Sequence, residues 1–161
     1  MAKVYLDAND TYTVANNNTI VYGAGGNETI TVSAGVTGVV TNQNMEKVVF
    51  ANPTSAYSYQ QKGNQLWVYS GNDIVAKIPV QIDTNGTQLT FANGTVETKL
   101  ITTGANAGQM TLGDTTVSNT TPTTVTPTTI DTTQTSGGTG GTGGTGGTGG
   151  TGGTGGGTTT Y

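Results

Sequence analysis

Asparagines, acids and glycines recur at a fixed spacing near the start of the chain. Asn9, Asn18 and Asn27 are nine residues apart, and the first and last of them open the similar segments NDTYTV and NETITV. Gly23 and Gly25 precede the second segment. Glycines let the backbone turn tightly and direct its carbonyl oxygens inward, while the neighbouring acids supply negative charge. Such oxygens suit Ca²⁺, which accepts six to eight of them in flexible geometry.

The candidate calcium ligands are the polar residues and glycines of these corners. They are Asp7, Asn9, Asp10, Gly23, Gly25, Asn27 and Glu28. The alternative is that Asn, Asp and Gly here form ordinary turns, because these residue types favour turn conformations without any metal. The pattern leaves both interpretations open.

The segment GAGGNETI, residues 23–30, resembles the repeat-in-toxin nonapeptide. In that family, glycine turns and an acidic side chain bind calcium between the coils of a parallel β-roll. Glu28 stands where the family has Asp, and Thr19 replaces the acid in the middle copy. A wider resemblance, over about residues 20–118, is to a module repeated in large bacterial surface proteins described as calcium-binding or β-strand-repeat proteins. The segments that carry it are GNETITVSAGVTGV, NMEKVVF, YSYQQKGNQLWVY, IPVQ and GTQLTFANGTV.

These resemblances imply an exported, calcium-dependent, mostly β protein of the bacterial surface or biofilm matrix. Such proteins leave the cell by type I secretion, without a cleaved N-terminal signal peptide. The first twenty residues indeed contain no apolar segment of the signal-peptide kind. No stretch approaches the roughly 20 apolar residues of a membrane helix. We therefore expect an extracellular or cell-surface location without membrane insertion.

The residue types that are missing exclude several kinds of chemistry. The chain has no Cys, His or Arg, and its five basic residues are all lysines. A thiolate nucleophile, a histidine relay, a Cys/His zinc site and an arginine clamp on phosphate are therefore impossible. The net charge is -4, and the lysines form no basic stripe of the kind that nucleic-acid binding needs. We expect a protein that is not an enzyme and has no nucleic-acid partner.

Short runs of Val, Ile, Tyr, Leu and Thr between Gly/Asn clusters predict strands and no helices. The predicted strands are 3–6, 11–14, 19–22, 29–32, 38–41, 47–50, 57–60, 65–69, 74–82, 87–92 and 95–101. Turn signals at Gly71-Asn72-Asp73, Asn85-Gly86 and Asn93-Gly94 predict an antiparallel meander over residues 65–101. Its predicted inward residues are Leu66, Val68, Ile74, Ile78, Leu89, Phe91, Val96 and Leu100, with Trp67 on the opposite face.

The predicted fold is all-β: an antiparallel β-sandwich or meander with a short repeat-in-toxin-like β-roll segment at its N-terminus. Residues 1–113 form the predicted β-domain. Residues 114–136, rich in Thr and Pro, form a predicted extended stalk or donor segment. Residues 137–161 are a tail of Gly-Gly-Thr repeats, which is either a flexible linker or an ordered extended helix that bundles with tails of other copies.

The expected function is a self-assembling extracellular structural protein: a fibre, biofilm-matrix or surface-layer subunit stabilised by calcium. Its main partner is then the same chain, joined by β-strand addition as in donor-strand complementation. The donor is either the N-terminal AKVYLDANDTYTV or the segment 117–130, although the N-terminal segment could equally complete its own sheet.

The alternative function is a monomeric adhesin module on a flexible stalk that binds carbohydrate or a surface. Tyr57, Tyr59, Trp67 and Tyr69 could form an aromatic strip for sugar rings, as on a cell-surface polysaccharide. Alternating aromatics in strands also fill a sheet face by packing, so this strip has two interpretations.

Overall fold

The computed structural model describes residues 1–136 of the chain, and the predicted Gly-Gly-Thr tail lies outside them. This part contains one short 3₁₀ helix, Thr54–Ala56, and is otherwise built from β-strands and turns. No helix in it is long and apolar enough to cross a membrane. The strands are β1 (Ala2–Tyr5), β2 (Thr11–Val14), β3 (Thr19–Tyr22), β4 (Thr29–Val32), β5 (Val39–Thr41), β6 (Lys47–Phe50), β7 (Ser58–Lys62), β8 (Gln65–Ser70), β9 (Asp73–Pro79), β10 (Thr87–Phe91), β11 (Gly94–Leu100), β12 (Met110–Leu112) and β13 (Thr115–Thr116). The all-β prediction is confirmed.

The first six strands alternate between two sheets. From β3 to β6, each strand is parallel to the strand two places before it. Thr11 pairs with Thr29, and Thr29 pairs with Lys47, so that one full coil takes 18 residues. Strands β1 to β6 therefore form three coils of a parallel β-roll, which is longer than the short segment predicted. The nine-residue spacing of the asparagines corresponds to half a coil, which consists of one strand and one corner.

The later strands extend the two sheets. The first sheet has the order β1-β3-β5-β9-β8-β7, and the second has the order β13-β12-β11-β10-β6-β4-β2. In each sheet the roll strands are parallel and the added hairpins are antiparallel. The molecule is thus a sandwich of two mixed sheets.

The meander predicted over residues 65–101 is wrong as a single unit, because it divides between the sheets. Hairpins do close at Gly71-Asn72 and at the second predicted turn, where the loop residues are Ala92 and Asn93 and the predicted turn residue Gly94 already pairs with Phe91. Around Asn85-Gly86, however, the chain crosses from β9 in the first sheet to β10 in the second. Gly86 has φ +59°, and a Cβ there would overlap the carbonyl oxygen of Thr98. Gly86 therefore lets the chain pass close to the Thr98 backbone where it crosses between the sheets, and it is not part of a two-residue hairpin.

Alternating side chains of the two sheets form one apolar core. Most predicted inward residues are buried: Leu66, Val68, Ile78, Leu89, Phe91 and Val96. Ile74 is half-buried, because a register shift between Val68 and Tyr69 opposite it changes which side chains of β9 point inward. Val75 and Ala76 are buried instead.

Residues 114–136 lie against the two sheets, which differs from the extended stalk predicted from their composition. Tyr59 of β7 exchanges two backbone hydrogen bonds with Thr123, at 2.8 and 3.0 Å. Thr95 of β11 does the same with Asp131, at 2.9 and 2.7 Å. Val125 is 4% exposed and belongs to the core. The predicted boundary at residue 113 therefore does not mark the end of the packed structure.

Candidate functional site

Three acids stack at one corner of the roll, each immediately before a strand of the second sheet. They are Asp10, Glu28 and Glu46, and they recur at the coil spacing. The carbonyl of Asp10 accepts the N–H of Thr29 at 3.0 Å, and that of Glu28 accepts the N–H of Lys47 at 3.1 Å. The backbone ladder thus fixes the stacking. Glu46 was not among the predicted calcium ligands, although the sequence spacing from Glu28 to Glu46 equals that from Asp10 to Glu28.

Glu28 is the centre of this corner, which we call the Glu28 corner. Its side chain is fully buried, at 0% exposure. Its Oε2 accepts the backbone N–H of Asn9 at 2.9 Å, whereas its Oε1 has no hydrogen-bond partner within residues 1–136. The Oδ1 of Asn9 accepts the N–H of Asn27 at 3.0 Å, and Asn9 has φ +67°. The structure therefore brings Asn9, Asn27 and Glu28 together, as three of the predicted site residues.

Two glycines form the cradle for the Glu28 carboxylate. A Cβ at Gly26, which has φ +144°, would lie 3.0 Å from Glu28 Oε2 and 2.9 Å from Asn9 Oδ1. A Cβ at Gly23 would lie 3.0 Å from Glu28 Oε1 and 3.1 Å from the carbonyl oxygen of Asn44. Both oxygens therefore border the same small space beside Gly23. A carboxylate and a carbonyl oxygen are both acceptors, so a cation there would satisfy both.

The other predicted ligands are arranged differently. A Cβ at Gly25 would meet nothing within 4 Å, so this glycine does not shape the cradle. The Oδ2 of Asp10 accepts the N–H of Asp7 at 2.9 Å, and the N–H of Asp10 donates to the Asp7 carbonyl at 3.1 Å. These two acids are exposed and bond to each other within a local turn.

Glu46 lies one coil beyond Glu28 at the same corner of the roll. It is close to the segment that crosses from β9 in the first sheet to β10 in the second. Partial burial raises the pKa of Glu46, and the nearby carboxylate of Asp83 raises it further. A hydrogen bond from the Asn85 side chain acts in the opposite direction. Across the part of the chain that the structure describes, no three His, Cys, Asp or Glu side chains are grouped to hold a metal. Calcium at the Glu28 corner would therefore need backbone or amide oxygens beside its carboxylate.

The N-terminal end of the roll carries a second feature, the outer edges of β1 and β2, which we call the open border. The N–H of Leu6 donates to Tyr22, so alternate residues of β1 bond to β3, and Lys3 and Tyr5 direct their backbone groups outward. At the β2 side, the backbone carbonyls of Asp10 and Val14 accept hydrogen bonds from the N–H groups of Thr29 and Ser33, at the two ends of β4. In the described residues, no strand lies beyond β1 or β2.

The opposite border of the first sheet is covered. Along β7, the N–H of Gln61 donates to the Ser118 carbonyl at 2.8 Å, and Tyr59 pairs with Thr123. The segment predicted as a donor strand thus protects an edge of its own domain. The two borders of the first sheet therefore differ, since within residues 1–136 β1 presents free backbone groups and β7 is covered.

The predicted aromatic strip separates into buried and outward-facing rings. Tyr57 and Tyr59 belong to the core, where they contact Phe91. Trp67 and Tyr69 are half-buried on the outer side of the first sheet, with ring centroids 6.5 Å apart. Packing accounts for the two buried tyrosines.

Comparison with protein-family models, with curated proteins and with solved structures gave no match. The resemblance to repeat-in-toxin and β-strand-repeat modules therefore stays a prediction. Calcium binding, export and the lack of enzyme activity also stay predictions.

Proposed function

We propose that this chain is a subunit of an extracellular structural assembly, joined by β-strand addition at the open border and stabilised by calcium at the Glu28 corner. The observation that carries the proposal is the state of the borders. Within residues 1–136, both edges at the N-terminal end of the roll present unpaired backbone groups, while the far edge of the first sheet is covered by the chain itself.

The open border lacks the usual protection against pairing. Natural edge strands are often blunted by proline, by bulges or by charged side chains. β2 has the sequence TYTV, with neither charge nor proline, and β1 carries a single lysine. Tyr5 is 72% exposed and stacks on Tyr22 at 4.7 Å, so an aromatic surface adjoins the free edge. These features favour a partner that supplies both strands and apolar contacts.

A second copy of the same end fits this border. Two copies related by a two-fold axis would pair β1 with β1 and β2 with β2 in antiparallel fashion. Along the first sheet, a head-to-tail contact would need a free border at the far end, which Ser118 and Thr123 cover along β7. Strand addition would then give closed pairs. A longer filament needs a second contact, for which the Gly-Gly-Thr repeats of residues 137–161 are the candidate.

Calcium supports this assembly by fixing the roll. The residues that would hold the ion are Glu28, through Oε1, and Asn44, through its carbonyl oxygen. When bound, the ion would neutralise a buried charge that lies between successive coils. The roll would then keep β1 and β2 at the separation that a second copy must match.

Thr13→Pro tests the proposal at the open border. Thr13 lies between residues that bond to β4, so its own N–H points outward. Proline removes that donor without breaking the ladder to β4. Analytical ultracentrifugation should show association of the wild-type chain and of the control Thr13→Val, which keeps the N–H. It should show monomers for Thr13→Pro.

Two results would overturn this proposal. One is a wild-type chain that stays monomeric at high concentration with calcium present. The other is a folded Thr13→Pro variant that associates as strongly as Thr13→Val.

A further inference from the structure

The outer face of the first sheet carries a row of side chains that the proposed assembly does not use. The pairing register places them side by side across six strands: Lys3, Ile20, Val40, Lys77, Trp67 and Gln60. None of them is acidic. Lys62 lies near the same row, at the end of β7. The row is therefore cationic in a chain whose net charge is -4, although Asp73 of β9 lines the same groove as Lys77.

Trp67 contacts two lysines, Lys62 and Lys77. The Nζ of Lys77 lies 4.2 Å from the centre of its ring, and the Nζ of Lys62 lies 4.4 Å from it. The negative face of an indole attracts ammonium groups. The ring therefore keeps a pair of cations in a defined place.

Neither lysine has a carboxylate partner among residues 1–136. The ion pair in this part of the chain joins Lys99 to Glu97 at 3.2 Å, on the second sheet. Lys47, also on the second sheet, lies 3.5 Å from the side-chain oxygen of Gln134. Lys3, Lys62 and Lys77 of the first sheet have neither an ion pair nor a side-chain hydrogen bond among residues 1–136, so they are left to an outside anion.

Polar groups surround the two cations. The indole Nε1 of Trp67 donates to Gln65 Oε1 at 2.9 Å, which holds the Gln65 amide beside the lysines. The Tyr69 hydroxyl donates to Gln60 Oε1 at 3.1 Å. Ammonium groups over the ring leave less room for a sugar to stack, so this indole is arranged for charge and not for neutral stacking.

We infer that this face binds a polysaccharide that carries carboxylates, which Lys62 and Lys77 contact beside Trp67. The row continues to Lys3, which lies three strands from Lys77, or roughly 14 Å at the usual strand spacing. A polymer with repeated carboxylates can engage both places. Nucleic acid fits less well, because three lysines without arginine cannot neutralise a run of phosphates. The inference does not depend on assembly at the open border.

Calorimetric titration of the full chain with an oligogalacturonate tests this inference, with dextran and duplex DNA as comparison ligands. The oligogalacturonate should bind, and more weakly as salt rises, because the contact is between exposed charges. Lys62→Gln and Lys77→Gln should each weaken binding by about tenfold, as loss of a charge-assisted contact does. Lys77→Arg should keep binding, and the control Lys99→Gln should change it less than about twofold.

Several outcomes would overturn the inference. They are no binding of the oligogalacturonate, equal binding of dextran or DNA, or unchanged binding by Lys62→Gln and Lys77→Gln. Thermal melting of each variant checks that it is folded. If one glutamine variant fails to fold, the other still decides the outcome, because both lysines contact the same ring.

Discussion

Gly25 and Gly26 are neighbours in sequence but have different roles in the Glu28 corner. Gly26→Ala should destabilise the fold by about 1–3 kcal/mol, because φ is +144° there and a Cβ would press on Asn9 and Glu28. Gly25→Ala is the matched control, since it has open space and no positive φ, and should change stability by less than about 1 kcal/mol. Urea unfolding measures both. Equal losses for the two variants would contradict this account of the cradle.

The unpartnered Oε1 of Glu28 makes the calcium proposal testable at a single atom. The melting temperature of the wild-type chain should rise in millimolar calcium, because a ligand that binds only the folded state stabilises it. Glu28→Gln removes the charge at nearly constant size and should abolish the rise. Asp7→Asn is the control and should keep it, since Asp7 bonds only within its own turn. The proposal would be contradicted if calcium left the wild-type melting temperature unchanged, or if it raised the melting temperature of Glu28→Gln as much as that of the wild type.

Sequence reasoning found part of this corner. The asparagine spacing identified Asn9 and Asn27, and the glycine segment identified Glu28. It did not find Asn44, whose contribution is a backbone carbonyl and so carries no residue-type signal. Asp7 and Asp10 have suitable side chains, but the Asp10 carboxylate accepts a local turn bond, in which Asp7 takes part through its backbone.

At the scale of elements, strand positions could be predicted better than strand partners. Predicted strands such as 11–14, 19–22, 29–32 and 47–50 agree with β2, β3, β4 and β6 at both ends. Alternation along a strand is local, so it appears directly in the sequence. Whether a turn closes a hairpin or crosses between sheets depends on distant contacts, such as Gly86 against Thr98. That information is absent from the turn itself.

The segment 114–136 shows how a few apolar residues decide packing. Its composition favours an extended stalk, yet Val125 lies in the core. Val125→Ala should lower the free energy of unfolding by about 1–2 kcal/mol, through lost burial and the cavity left behind. Thr120→Ala, at an exposed position of the same segment, should change it by less than about 0.5 kcal/mol. Should both variants unfold at the wild-type urea concentration, this segment would not be part of the cooperative fold.

At the scale of the whole molecule, the two ends of the sandwich are unlike. The C-terminal segment closes one edge, whereas β1 and β2 leave the N-terminal end of the roll open. Low charge and a strand-rich sequence are compatible with ordered assembly and with simple aggregation, and assembly stays a prediction. The position of the free edges could not be predicted, because it depends on which strands pair across the whole chain.

Hydrogen exchange at the open border is the most direct measurement of the central claim. In dilute, monomeric protein the outward N–H groups of Lys3, Tyr5, Thr11 and Thr13 should exchange rapidly, because nothing accepts them in residues 1–136. In concentrated, associated protein with calcium, these four amides should become protected while exposed turns such as Gly71 stay fast. Association that leaves all four amides as fast as in the monomer would contradict the account.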